Sequence, residues 1–524
     1  MDLTRQEIKN PVGILLDPKP SDLPITSWSE GRNVRFKNGK VSKAQGYNRI
    51  FPDLPDGQDQ SFALPYLYNS TPFWFVGTKE RIYRTEGRTW QNVSRRATGG
   101  GEGEPYQSAD NFPWNGGFLS GVAVLNNGAE TPQAFLPNAD HFIDMPNWPA
   151  TLRAKIVRPF KNYLIALNIT KNSVDMPTVV KWSSPADPGN VPYTWDERDP
   201  KNDAGENPLA DTAGAIVDGK KLRDSFIVYK EDSVYSMRYI GGVYVFQFQQ
   251  LYDDVGMIAP NCAAEFDGKH FVIGQGDVYV HNGVQKKSVI DGKMKDYLFN
   301  AIKAGGVRSV FVVPDYANSE MWVCFQSSSD AITEGYADSA AIWNWEEDTW
   351  TLRDIPKVVA GTFGVVDPQE PDDWDLDPAQ WNSDSTVWGS ATYNPAKNKL
   401  VFVSQVNRLT YVVGESTQFD GVDFKSRIER TDLYNGMDQL VKHITTVAPH
   451  LSGTGSCDVY VGKSMIMDNP VEWFGPYKYE IGKDFKIDCR VSGRFIGFRF
   501  EFESAGSWEL SGYTVESTKP VGKR

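Results

Sequence analysis

Four aspartates crowd one short run, Asp372-Asp373-Trp374-Asp375-Leu376-Asp377, and carboxylates this close together are the first place to seek a bound cation. The spacing does not match the helix-flanked calcium loop, which needs a central glycine and a closing bidentate glutamate. The run reads as the solvated face of a loop, with calcium the lesser reading. Asp372, Asp373, Asp375 and Asp377 are therefore carried forward as a candidate lumen or tip loop. The five histidines, His141, His270, His281, His443 and His450, never form H-E-x-x-H or a similar pair. His270 and His281 flank one expected hairpin and are assigned to ordinary packing or surface roles. Cys262, Cys324, Cys457 and Cys489 lie far apart with no C-x-x-C, which argues against zinc and predicts buried, reduced thiols. There is no G-x-S-x-G nucleophile turn and no G-x-x-x-x-G-K-[ST] phosphate loop. The expectation is no enzyme, with no catalytic, cofactor-binding or metal residues and no cofactor.

Charge narrows the partners. The chain carries 54 Lys+Arg against 67 Asp+Glu, a net charge of -13. Tight duplex binding needs a basic face that releases counterions, so an acidic chain points away from it. An acidic wall would instead let DNA slide past without sticking. The short basic pieces, Arg32-Asn-Val-Arg35-Phe-Lys37 and Lys40 to Lys43, read as strands with a solvated face. Met1 to Pro20 has no basic stretch followed by an apolar core, so no signal peptide is expected. No segment approaches the roughly 18 apolar residues of a membrane span. Thr85-Glu-Gly-Arg-Thr-Trp90 and Glu347-Asp-Thr-Trp350 resemble the Asp-box turns of sialidase propellers. Those boxes are structural hairpins around a buried tryptophan, so the likeness speaks for fold rather than catalysis.

The elements that position these residues are almost all strands. Hydrophobic residues make up 40% of the 524 residues and aromatics 13%, enough for large cores, and 46 Gly and 32 Pro must punctuate many short elements. One helix is predicted, from Met294 to Ala304, with Leu298, Phe299 and Ile302 on one face. Asn-Gly pairs at Asn38, Asn115, Asn127, Asn282 and Asn435 can each supply a type I′ hairpin turn. A unit of apolar strand, polar turn and Val/Ile-Tyr strand recurs at Phe73 to Val93, Phe226 to Gly242, Phe271 to Ile290 and Met321 to Ile355. Weaker copies lie at Tyr163 to Trp182 and Leu400 to Val413. This spacing suits the four-stranded blades of a β-propeller. Six blades are expected and seven is the alternative, with a two-sheet sandwich carrying long insertions also open. From Arg494 to Glu503, Ile496, Phe498, Phe500 and Phe502 alternate with Gly497, Arg499, Glu501 and Glu503, which predicts a strand with one buried and one polar face. The last ninety residues thus read as a small β-sandwich-like domain, or as a stretch that completes the propeller by pairing with an N-terminal strand. The expected division is 1–60 as an N-terminal strand or docking segment, 61–430 as propeller, and 431–524 as the sandwich. The Gly-rich Ala97 to Pro105, Asp196 to Asp211 and Asp367 to Asp377 are read as contact loops.

Several segments, in order along nearly the whole chain, resemble one family. They are Trp28-Ser-Glu-Gly31-Arg-Asn33-Val-Arg35-Phe36-Lys-Asn38-Gly39, Phe75-Val-Gly77-Thr78 with Ile82-Tyr83, and Val124-Leu-Asn-Asn127-Gly128. Val180-Lys-Trp182-Ser-Ser-Pro185-Ala-Asp187-Pro188 and Val228-Tyr-Lys-Glu231-Asp232-Ser-Val-Tyr235 follow. Ala341-Ile-Trp343-Asn-Trp345 with Asp348-Thr-Trp350, Val491-Ser-Gly493-Arg494-Phe495 and Leu510-Ser-Gly512-Tyr513 close the series. Together they resemble the tail nozzle proteins of short-tailed bacteriophages, the tail tubular protein B-like or packaged-DNA stabilisation proteins. The resemblance implies a structural virion-tail subunit, made in the host cytoplasm, six copies of which form a ring below portal and adaptor proteins. Such a ring would meet tail fibre or needle proteins, retain packaged double-stranded DNA without binding it tightly, and open for ejection. It implies no catalytic residues. The alternative is a propeller lectin or glycan-directed, sialidase-like protein.

Overall fold

The computed structural model describes residues 3–518, apart from 69–70, 87–88, 98, 109–113, 200, 303–304, 329–334, 367–397, 405–408, 415 and 435. Its strands form seven four-stranded antiparallel sheets and two larger ones. The seven small sheets are the blades of a β-propeller. In chain order they span 60–92, 115–144, 152–208, 216–252, 263–288, 311–358 and 360–413, the last completed by Tyr47–Arg49. First strands of blades 2 to 7 touch in succession, and Ala360–Val365 of blade 7 touches Gln60–Tyr68 of blade 1. Blades 1 and 2 share one core, where Tyr66 stacks on Phe118 at 5.2 Å. The ring therefore closes on seven, not six.

The missing blade has a physical reason. The six repeats visible in the sequence fall on blades 1 and 3 to 7. Blade 2 has strands of only five, five, three and two residues. Its glycine-rich first strand, Asn115–Leu119, carries no Val/Ile-Tyr pattern. Asn115-Gly116 is not a turn but the start of that strand. A Cβ on Gly116 would lie 1.9 Å from the Val124 carbonyl, so only glycine lets the two strands approach there. Asn38-Gly39 is a true hairpin turn, both residues having positive φ, at 54° and 66°.

Ring closure joins distant parts of the chain. Tyr47–Arg49 is the outermost strand of blade 7 and pairs with Leu409–Val413. Across the seam with blade 1, Trp74 Nε1 donates to the Val365 carbonyl at 3.0 Å and Thr410 Oγ1 to Gln60 Oε1 at 2.7 Å. An N-terminal strand does complete the propeller, but its partner lies upstream of the last ninety residues.

Those last residues form two sheets with the remaining N-terminal strands. Leu3–Lys9, Val34–Lys37 and Lys40–Lys43 join Lys442–Gly453, Ile487–Gly493 and Trp508–Thr518. Glu30–Arg32 joins Lys425–Leu433, Ser456–Ser464, Glu472–Glu480 and Phe495–Glu503. Between the sheets lies one core, in which Trp28, Phe36 and Val41 meet Phe498, Phe500 and Tyr513. The first forty residues thus belong mainly to this body, which also begins slightly before residue 431. In Phe495–Glu503 the apolar face is buried as the alternation predicts, but the other face is not simply solvated. Arg499 Nε donates to Glu429 Oε2 at 2.7 Å and its guanidinium lies 4.1 Å from the Trp473 ring, while Lys425 pairs with Glu501 at 2.6 Å.

The helix is short, Lys295–Ala301, with Leu298 buried. All four cysteines are buried and unpaired.

Candidate functional site

Each expected feature has its place in this architecture. Asp372, Asp373, Asp375 and Asp377 lie outside the described residues. The Asp196 to Asp211 stretch is not wholly a loop, because Gly205–Pro208 is the outer strand of blade 3. Its acidity is partly matched. Lys181, almost fully buried, contacts Glu197 at 2.6 Å and Glu206 at 3.1 Å, and Lys171 contacts the same two at 2.6 and 2.9 Å. Burial pushes the Glu197 carboxyl up, but the two lysines outweigh it and hold the group at about 2. The Ala97 to Pro105 stretch is pinned by Arg81 and Glu102 at 3.1 Å and by a bond from Arg95 Nε to the Glu104 carbonyl at 3.3 Å. At Glu347-Asp-Thr-Trp350, Trp343 Nε1 donates to Asp348 Oδ1 at 2.9 Å and Trp350 is buried, a structural hairpin.

His270 and His281 do more than flank a hairpin. They face each other in register on neighbouring strands of blade 5 and both reach Tyr229 of blade 4. Geometry fixes every proton. His270 Nε2 lies 2.8 Å from the Lys221 carbonyl and must donate, so its Nδ1 accepts from the Tyr229 hydroxyl at 2.6 Å. The Tyr229 oxygen then accepts from His281 Nε2 at 2.7 Å, and His281 Nδ1 accepts from the Gly283 amide at 3.2 Å. The chain is satisfied only with both rings neutral. Burial pushes His270 down to about 3, helped by His281, and His281 down to about 4.

One mouth of the propeller axis holds a cavity of about 240 Å³. It opens where first strands begin: Asn115 starts that of blade 2, Ile216 that of blade 4 and Phe311 that of blade 6. Side chains project here because the first strand of each blade borders the axis, while the turns between second and third strands rim it. Asn115 and Asn168 are structural bridges, donating to the Lys155 carbonyl and the Ile216 carbonyl, each at 2.9 Å. Ile156, Ile216, Val310 and Phe311 supply apolar floor, and Lys155, Arg308, Glu231 and Gln275 supply polar rim.

Beside Asn261 of this cavity, Arg158 grips Asp218 with two bonds, at 2.9 and 2.8 Å, and donates to Asn261 Oδ1 at 2.8 Å. Amides of Gly219 and Asn261 complete the carboxylate at 2.7 and 2.9 Å. Burial raises the Asp218 carboxyl, but Arg158 and these amides outweigh it and hold it below its ordinary range. Lys220, next along the same strand, keeps contact with solvent while walled in by protein, and donates to the Ala263 carbonyl of blade 5 at 2.7 Å. Desolvation, reinforced by Arg158, pushes its amine down to about 8.

Sequence reasoning missed this cavity. Its residues come from five blades and the connections between them and share no motif, and only knowing which strand is innermost singles out Lys155. Among the described residues, no three His, Cys, Asp or Glu side chains converge as metal ligands. No described helix is long and apolar enough to cross a membrane.

No family model matches the chain, and no curated protein matches it. Among solved structures, the Pan2 WD40 domain of Neurospora crassa aligns at 10% identity and TM-score 0.37, covering 72% of this chain and 97% of that one. The AfRom2 CNH domain aligns at 8% identity and TM-score 0.35, covering 70% and 98%. PorZ, a surface component of the Porphyromonas gingivalis type-IX secretion system, aligns at 9% identity and TM-score 0.32, covering 77% of this chain and 44% of its own. Likenesses of this degree carry no functional reading, and the propeller assignment rests on the sheets themselves.

Proposed function

We propose that the chain is a structural subunit of the tail nozzle of a short-tailed bacteriophage, a part of the distal conduit that retains packaged DNA and opens for its ejection. The observation that supports this most is what the family-like N-terminal segment does. Trp28 to Gly39 is the joint between the two bodies. Arg32 pairs with Asp354 of blade 6 at 2.5 Å and Asn33 Nδ2 donates to the same carboxylate at 2.7 Å. Arg35 pairs with the buried Glu320 at 2.5 Å, and Thr351 Oγ1 donates to the Val34 carbonyl at 2.8 Å. Trp28 stands in the sandwich core. Other family-like residues likewise carry structure: Lys181 the ion cluster of blade 3, Tyr229 the seam of blades 4 and 5, Trp343 its hairpin.

A conduit would have to form between copies. A cavity of about 240 Å³ cannot pass a duplex whose major groove alone is about 12 Å wide. Six copies in a closed ring, joined by heterologous contacts, would leave a bore on the ring axis instead. The net charge of -13 would keep DNA from adhering to its wall.

Immunogold labelling of phage particles, before and after triggered DNA release, tests the reading. Label at the distal end of the tail is the expected result. A tail without label, together with a soluble protein that binds or cleaves glycans, would overturn it in favour of a sugar-directed propeller.

A further inference from the structure

We propose that a single halide ion is held between the two sheets of the sandwich by Trp28, Arg430 and Tyr513. The inference does not depend on the tail reading. Its first ground is a set of polar groups left unmet. Trp28 Nε1, Arg430 Nε and the Tyr513 hydroxyl are buried, and none finds a hydrogen-bond partner among the described residues. Each of the three residues is at most 3% exposed. Arg430 stands on Lys425–Leu433 of one sheet and Tyr513 on Trp508–Thr518 of the other. Trp28 touches both sheets, its ring 6.1 Å from that of Phe500 and 5.9 Å from that of Tyr513. All three line one cavity of about 10 Å³, bordered also by the exposed Lys9 and Ile25. Unmet donors are costly in a protein interior, so a cavity that gathers three of them calls for an acceptor.

The second ground is the chemistry of that set. Trp28 Nε1 and Arg430 Nε can only donate, and Tyr513 alone could also accept. A water has two acceptor sites for three donors and brings two protons of its own, for which the three groups offer a single oxygen. A halide accepts from all three and brings none. The third ground is charge. The other Arg430 N–H groups go to the carbonyls of Pro20 at 2.5 Å, Thr431 at 2.7 Å and Leu23 at 2.9 Å. Asp432, two residues along, gives its carboxylate to the Asp468 amide at 3.0 Å, and Lys9 is paired with Glu7 at 2.8 Å. Burial pushes the Arg430 guanidinium down, and Tyr513 and Asp432 offset only part of that. A buried cation with no carboxylate bonded to it favours an anion at its side. Size then selects among anions, because about 10 Å³ is room for one water-sized body and excludes phosphate, sulfate and carboxylates. Bound there, the ion pins the segment from Pro20 to Trp28 across both sheets, just ahead of the joint with the propeller.

Thermal unfolding of the full chain in sodium bromide, chloride and gluconate at equal ionic strength tests the site, with bromide-soaked crystals to locate the ion. Bromide and chloride should each raise the unfolding midpoint saturably, by about 1–2 °C over gluconate. The crystals should show one anomalous peak at hydrogen-bond distance from all three groups. Tyr513→Phe keeps the ring and removes one donor, so the halide-dependent rise should fall to about half or less, whatever the variant's own stability. The wild-type peak decides the matter should that variant fail to fold. No anomalous peak between the sheets, or a water oxygen in its place, would overturn the proposal. So would stabilisation by gluconate equal to that by the halides, or a halide effect unchanged in Tyr513→Phe.

Discussion

Blade 3 and the seam between blades 4 and 5 each bury a polar cluster, and they solve the problem in opposite ways. Blade 3 matches charge around one buried lysine: Lys181 and the half-buried Lys171 alternate with two half-buried glutamates, so every ion has two counterions. The seam buries two titratable rings and keeps them neutral, with one tyrosine hydroxyl relaying donor to acceptor between them. The first arrangement tolerates acid until its carboxylates titrate. The second fails as soon as protons become available to the histidines. Two parts of one ring therefore answer the same change of pH at different points.

The largest expected effect breaks the comparison by pH. The histidines sit at about 3 and about 4 in the folded chain, below the ordinary value of about 6.5. Their contribution is complete above pH 6.5 and is lost as pH falls toward 4, because the unfolded chain takes up protons that the fold refuses. Between pH 7 and pH 5 the pair should cost about 4 kcal/mol. Glu197, at about 2 against an ordinary 4.5, loses its contribution only below that window. Hydrogen exchange should therefore show amides of 226–237 and 270–281 losing protection at pH 5 while those of 163–182 keep theirs. Uniform loss across the ring would mean that the seam is not the acid-sensitive element.

A smaller effect comes from unbalancing the ions. Lys181→Met leaves Glu197 and Glu206 to share Lys171 and should destabilise the chain by about 3 kcal/mol in denaturant titration. A loss below 1 kcal/mol would show that water already satisfies the cluster. Tyr229→Phe removes the relay and strands a ring donor and a ring acceptor, at a cost of about 2 kcal/mol at pH 7. The smallest effect sharpens the comparison within blade 3. Lys171 is more exposed than Lys181, so Lys171→Ala should cost only about 1 kcal/mol, and a cost equal to that of Lys181→Met would mean that burial does not rank the two.

What the sequence made legible follows from how local each signal is. The hairpin of Phe226 to Met237 is readable because its strands and its turn, Lys230-Glu-Asp-Ser233, are neighbours in the chain, and the structure pairs Tyr229 with Val234 as that reading requires. Blade 2 was illegible because its strands are too short to show alternation, whereas blade 7 left a weak copy at Leu400 to Val413 while its fourth strand, Tyr47–Arg49, lies far upstream. His270 and His281 could be placed on one hairpin, but their partner Tyr229 lies on another blade. The axial cavity was the least legible feature, since it is lined by single residues from separate strands, and no run of sequence brings them together.

Ring closure by Tyr47–Arg49 also has a consequence for biosynthesis. A ribosome releases this strand long before its partner, Leu409–Val413. At roughly 5–20 residues per second, the strand must wait tens of seconds with its edge unsatisfied. The sandwich waits longer still, because Leu3–Lys9 pairs with Trp508–Thr518. A nascent chain cut short at any point before residue 409 leaves both bodies open, so truncated products should be far more readily proteolysed than the full chain.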